Sequence, residues 1–79
     1  MFTIYGTSTC RYCHEAADLL SNSGIPYQYK EIDSEPESLE EFRTKFPTTR
    51  TVPQILKDDT YVGGYTELKE RLKNEFITS

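Results

Sequence analysis

What this chain lacks narrows its role first. No stretch has the length and apolarity of a membrane span, and the N-terminus has no apolar core of the secretory type. The expectation is a cytoplasmic protein with no membrane partner. The chain also lacks a basic excess. Its 9 Lys and Arg face 13 Asp and Glu, and a net charge of −4 argues against a general nucleic-acid binder. Histidine and methionine occur once each, so a metal centre would find few ligands. Internal repeats, low-complexity tracts and linkers are missing. At 79 residues the expectation is a single domain, 1–79, with one modest core.

Cysteine is scarce too. The chain has two, Cys10 and Cys13, both in "TSTCRYCHE" at residues 7–15. A bridge between them closes a very short loop and constrains the unfolded chain little. The pair therefore reads as chemistry rather than as a staple, and without a secretory signal it reads as catalytic or metal-binding. C-x-x-C is a redox pair or half of a zinc site, and C-x-x-C-H is also a haem attachment pattern. Haem would need an apolar pocket and a distal ligand, often methionine, and the sole methionine is Met1. Structural zinc wants about four ligands, and Cys10, Cys13 and His14 fall short in one chain.

Charge is unevenly spread. Residues 31–41 carry Glu31, Asp33, Glu35, Glu37, Glu40 and Glu41, whereas residues 43–57 carry Arg43, Lys45, Arg50 and Lys57 and no acid. These are either two solvated faces or a basic segment turned towards an anionic ligand.

Local patterns give an order of elements. "FTIYG" (2–6) is β-rich and ends in glycine, a strand signature. Thr7, Ser8 and Thr9 offer N-cap side chains for a following helix, with Cys10 in its first turn. Cys13, Ala16, Ala17 and Leu20 fall on one helical face. "NSG" (22–24) stops that helix, with Gly24 as a left-handed cap. A second strand starts after Pro26 in "IPYQYKEI" (25–32). Ser34 and Glu37 have capping-box spacing, and Leu39, Phe42 and Phe46 follow on a helix that Pro47 ends. "VPQILKD" (52–58) and "TYVGG" (60–64) form a hairpin turned by Asp58 and Asp59. Thr66 caps a last helix whose buried face is Leu68, Leu72 and Phe76.

The order β-α-β-α-β-β-α predicts an α/β protein. A four-stranded mixed sheet has three helices flanking it on both faces. The cysteines then sit where the first strand hands over to the first helix, an end of the sheet at which ligands bind.

That place suits thiol chemistry. The thiolate is the nucleophile, and an ordinary cysteine with pKa ~8.5 is mostly protonated at neutral pH. A helix N-terminus offers unpaired N–H groups and about half a positive charge. A fall of two pKa units there corresponds to ~2.7 kcal/mol in favour of the thiolate. Arg11 adds a neighbouring cation. Residues three apart are neighbours on a helix, so Cys13 can reach back to a mixed disulfide at Cys10. Cys10 attacks and Cys13, kept a thiol by burial, resolves.

Three further features bear on a ligand. Tyr12 reads as one wall of a groove, with Tyr65 as another. In "TVPQI" (51–55), Pro53 has no N–H for a ladder and belongs at a strand start, edge or bulge. Its bond to Val52 is a candidate for the cis state, with backbone groups of Val52 free to hold an extended peptide. In "GGYTEL" (63–68), paired glycines permit close approach, and the helix opened by Thr66 and Glu67 suits a carboxylate.

Together "TCRYC" (9–13), "TVPQI" (51–55) and "GGYT" (63–66) make the chain resemble the glutaredoxin family, within the thioredoxin-like fold, over essentially its whole length. The resemblance implies glutathione-linked thiol–disulfide exchange, with Cys10 the nucleophile, Cys13 the resolving thiol and glutathione the electron donor rather than a permanently bound cofactor. It implies that Tyr12 lines the glutathione groove and that Thr51, Val52 and a cis Pro53 pair with the tripeptide backbone. Gly64 permits close approach, and Tyr65, Thr66 and Glu67 receive the γ-glutamyl end. It further implies a monomer with disulfide-containing clients such as ribonucleotide reductase. Three positions depart from the family pattern, one being Glu67 where the family often has Asp. Arg11 stands where the common dithiol motif has proline, and Thr7 where a basic residue is frequent, a gap that Arg50, Lys45 or Arg43 could fill. Rival readings are a glutaredoxin-like redoxin fed by thioredoxin reductase, serving ribonucleotide reductase, and a glutathione-assisted binder of an iron–sulfur cluster.

Overall fold

The computed structural model describes residues 1–49 and 51–77, with side chains through Asn74. Arg50 and the Phe76 side chain, both invoked from the sequence, lie outside the described residues. The elements are β1 (Phe2–Gly6), α1 (Arg11–Asn22), β2 (Tyr27–Glu31), α2 (Pro36–Lys45), β3 (Gln54–Lys57), β4 (Thr60–Gly63) and α3 (Tyr65–Ile77). This is the order expected from the sequence. The sheet runs β2-β1-β3-β4. β1 pairs parallel with β2 and antiparallel with β3, and β3 pairs antiparallel with β4.

Alternation along β1 sends side chains to two separate clusters. Phe2 and Ile4 pack with Ala16, Ala17, Leu20, Ile55, Leu68 and Leu72, so α1 and α3 cover one face. Tyr5 packs with Phe42 and Leu56, so α2 covers the other. The helical face foreseen for α1 is buried in full: Cys13, Ala16, Ala17 and Leu20. Gly24 adopts the expected left-handed conformation, with φ of 70°.

Three local expectations are corrected. The third strand starts at Gln54, not Val52, because Pro53 cannot donate to the ladder; the Val52–Pro53 bond is cis, as expected. The Ser34–Glu37 capping box does not form. Pro36 sets the helix start, Glu35 becomes the N-cap without a side-chain cap bond, and the Ser34 hydroxyl donates instead to Glu31 at 2.7 Å. The buried face of α2 is narrower than expected, with Phe42 and Ser38 buried and Leu39 and Phe46 only half-buried.

Candidate active site

From Gly6, residues 7–9 carry the chain into α1. Cys10 is itself the N-cap, with φ −79° and ψ 112°, and its sulfur accepts the Cys13 backbone N–H at 3.2 Å. The sequence reading put Cys10 inside the first turn behind a Thr7, Ser8 or Thr9 cap. The sulfur instead takes the place of a capping hydroxyl, so an orphan N–H of the helix points at the thiol. Cys13 is fully buried, its Cα 5.2 Å from that of Cys10, and the two sulfurs lie together as a disulfide pair. Gly6 makes room for this. A Cβ there would stand 2.8 Å from Cys13 Cβ and Sγ and 2.7 Å from the Tyr29 hydroxyl.

The 7–9 loop is bonded from behind. Tyr29 Oη donates to the Thr7 carbonyl at 2.7 Å. The Asp33 carboxylate accepts the Ser8 N–H at 3.1 Å and the Ser8 hydroxyl at 2.7 Å. His14 Nε2 lies 2.8 Å from the Ser8 carbonyl, and its ring stacks on Tyr29 with centroids 5.4 Å apart and planes 2° from parallel. These bonds to Ser8 hold the Asp33 carboxyl below the usual carboxylate range. Burial, with the charges of Glu31 and Asp33, pushes the Tyr29 hydroxyl up to about 12. The sequence brought out His14 only through the haem and zinc patterns and Asp33 only as part of an acidic run. Tyr29 and Asp33 stand 22 and 25 residues from the Thr7 and Ser8 they bond, beyond any local pattern.

A cleft of about 540 Å³ lies beside the cysteine turn, and eight residues singled out from the sequence line it: Tyr12, Thr51, Val52, Pro53, Gly64, Tyr65, Thr66 and Glu67. Gln54 and Tyr61 complete the lining, and neither was foreseen. The Gln54 amide donates to the Thr51 carbonyl at 3.0 Å, while the Tyr61 hydroxyl donates to Gln54 Oε1 at 2.6 Å. These bonds tie the Thr51 segment to β4. The rings of Tyr12 and Tyr65 are 5.7 Å apart, which joins the cysteine turn to the start of α3.

The entry to α3 differs from the sequence reading. The helix begins at Tyr65, one residue before the expected Thr66 cap, and Glu67 Oε1 accepts the Gly64 N–H at 2.7 Å. Glu67 thus performs the capping by reaching back to the residue before the helix. Gly63 has φ of +126°, and a Cβ there would lie 2.7 Å from Cβ and Cγ of Glu67. Arg43 and Lys45 do not reach the cleft. Arg43 lines a separate groove with Phe42 and Phe46, and Lys45 lies beside Leu56 and Asp59. Arg11 is exposed at the first position of α1, next to Cys10. Among the described residues no Lys or Arg lines the cleft, and no three His, Cys, Asp or Glu side chains gather as a metal site.

A sequence model of the glutaredoxin family matches residues 2–62, a span that holds both cysteines and the cis Val52–Pro53 bond. The chain belongs to the glutaredoxin family. It is 42% identical over 65 residues to glutaredoxin 3 of Escherichia coli K12, covering 82% of this chain and 77% of that protein. The solution structure of reduced E. coli glutaredoxin superposes with a TM-score of 0.76 at 37% identity, covering 95% of both chains. The crystal structure of a buckwheat glutaredoxin–glutathione complex shares the fold, with a TM-score of 0.77 at 22% identity over 94% of this chain and 69% of that one. As a glutaredoxin, the chain is a thiol–disulfide oxidoreductase, and the cysteine pair at the head of α1 has the arrangement such exchange needs. No helix among the described residues is long and apolar enough to cross a membrane.

Proposed function

We propose that this glutaredoxin is a glutathione-dependent dithiol reductase of protein disulfides and glutathione mixed disulfides, acting as a monomer in the cytoplasm. One observation carries the reading. Tyr12, the Thr51–Pro53 segment and the Gly64–Glu67 segment, from three separate parts of the chain, line one cleft that starts at the cysteine turn. Its partners are glutathione and disulfide-containing clients, of which ribonucleotide reductase is one type.

The Cys10 thiolate, favoured by the Cys13 N–H and the positive end of α1, attacks a substrate disulfide. One sulfur of that disulfide becomes bonded to Cys10 and the other leaves as a thiolate. Cys13, already beside Cys10, attacks the mixed disulfide, so the second sulfur leaves and Cys10–Cys13 closes. Two glutathione thiols reopen it and depart as glutathione disulfide. During the first of these attacks a glutathione lies extended along Val52. Its γ-glutamyl carboxylate faces the N–H groups that open α3, where a helix start favours an anion.

The test is reduction of a glutathionylated peptide by glutathione, coupled to glutathione reductase and NADPH. The expected result is turnover that Cys10→Ser abolishes. Cys13→Ser keeps activity on the glutathionylated peptide and loses it on a client whose disulfide needs both thiols. No turnover by a chain whose Cys10 is readily alkylated would overturn glutathione as donor, and thioredoxin reductase would be assayed in its place.

A further inference from the structure

We propose that Asp33 and His14 are positioning residues for Cys10, clamping Ser8 from two sides so that the Cys10 sulfur stays where the Cys13 N–H donates to it. This rests on the reading of Cys10 as the attacking thiol. The segment from Thr7 to Thr9 has no regular secondary structure, yet the Thr7 carbonyl and the polar groups of Ser8 are committed. The Thr7 carbonyl accepts from Tyr29, the Ser8 N–H and hydroxyl donate to Asp33, and the Ser8 carbonyl accepts from His14. A carbonyl only accepts, so His14 Nε2 carries the proton. The same hydrogen bond therefore survives in neutral and charged imidazole.

The clamp spans three elements. Asp33 follows β2, Tyr29 lies within β2, and His14 lies in the first turns of α1, where its own N–H donates to the Cys10 carbonyl at 3.2 Å. His14 is thereby bonded both to the residue that carries the sulfur and to the loop that leads into it. Its ring lies flat on Tyr29, which fixes the direction of Nε2. A loop held this way enters Cys10 with one φ and ψ, and the cap bond to sulfur depends on those angles. The carbonyls of Thr7 and Ser8 are bonded to Tyr29 and His14 instead of being free to turn towards the thiolate.

Charge alone predicts the opposite effect for Asp33. A carboxylate near Cys10 disfavours the thiolate, so its removal by a purely Coulombic route makes Cys10 more acidic. The other ionisable groups around the loop are Tyr29 and Glu31 on β2 and Arg11 and His14 on α1, and all of them stay constant in an Asp33 comparison. Asp33→Asn removes the charge and keeps an acceptor for Ser8. Asp33→Ala removes both.

The experiment measures the rate of Cys10 alkylation against pH in the reduced full-length chain, with the modified residue located by mass spectrometry. Asp33→Ala should react more slowly than Asp33→Asn at neutral pH, by about fivefold for the loss of one hydrogen bond's worth of placement. Its profile should be shifted towards higher pH. His14→Leu should show the same direction of change, and His14→Gln, which can still donate to Ser8, should recover most of it. The His14 pair carries the test if Asp33→Ala does not fold. Coincident profiles for Ala and Asn at position 33, or for Leu and Gln at position 14, would overturn the clamp. An unmodified parent chain that leaves Cys10 unreactive at neutral pH would instead overturn the reading of Cys10 as nucleophile, so the two failures are separable.

Discussion

At Arg11 the chain places a cation beside Cys10, in the first position of α1. Proline is well suited to that position, because its fixed φ is helical and its missing N–H is one the helix does not use. Arg11→Pro should therefore leave thermal stability nearly unchanged. It should raise the Cys10 pKa, through loss of the neighbouring positive charge. The pH profile of Cys10 alkylation checks this, and an equal or lower midpoint in the proline variant would refute it. Two glycines make the opposite kind of residue-scale prediction, since their substitution acts through packing. Gly6→Ala drives a methyl group into Cys13 and Tyr29, and overpacking of this type costs about 1–3 kcal/mol. Gly63→Ala combines φ of +126° with a clash against Glu67, for about 1–3 kcal/mol of strain, and it displaces the side chain that caps α3. Chemical denaturation measures both. In the assay with the glutathionylated peptide, Gly63→Ala should raise the KM for glutathione, because the displaced segment lines the cleft.

Among elements, α2 shows where local pattern stops being informative. Its existence and Phe42 were legible from periodicity, as was the buried face of α1. Its start was not. Serine three residues before glutamate looks like a capping box, but Pro36 between them sets the first helical turn, and Ser34 turns back to Glu31. What anchors α2 was also illegible, because it is long-range: Tyr5 on β1 donates to Glu41, and Lys30 on β2 bonds the same carboxylate at 2.6 Å. The candidate site divides along the same line. Cys10, Cys13, Tyr12, Pro53 and the glycines announce themselves through residue type and spacing. Asp33, His14, Gln54 and Tyr61 are ordinary residues that matter only through partners the fold brings near. Tyr5→Phe tests the anchor. Tyr5 is buried, and its loss of one hydrogen bond to a partly exposed carboxylate should lower stability by about 1 kcal/mol in urea unfolding. A variant as stable as its parent would show that the Tyr5 hydroxyl does not help to anchor α2, leaving Lys30 and Phe42 packing to hold it.

Over the whole molecule, the displaced ionisations set the pH range of the fold. Glu41, held down by its bonds to Lys30 and Tyr5, and Asp33, held down by Ser8, lie below their ordinary values of 4.5 and 3.8. Asp58, bonded to the N-terminal ammonium at 2.5 Å, lies below 3.8 as well. A carboxylate whose folded pKa is lowered binds fewer protons folded than unfolded. Its contribution is complete above the unfolded value and disappears as pH falls through the folded one. Tyr5 and Tyr29 act at the other limit. Burial raises both above the ordinary value of 10.0, so their contribution is complete below about pH 10 and is lost as pH rises further. Thermal midpoints should therefore be level from about pH 5 to about pH 9 and fall on both sides. Glu41→Gln should be less stable than the parent by about 1 kcal/mol at neutral pH, a figure reduced for the partial exposure of the carboxylate. At acid pH, below the lowered value of Glu41, the two should draw together, because the parent carboxyl is then neutral too. A difference of the same size at both pH values would mean that Glu41 holds α2 through its shape and hydrogen bonds, with no part played by its charge.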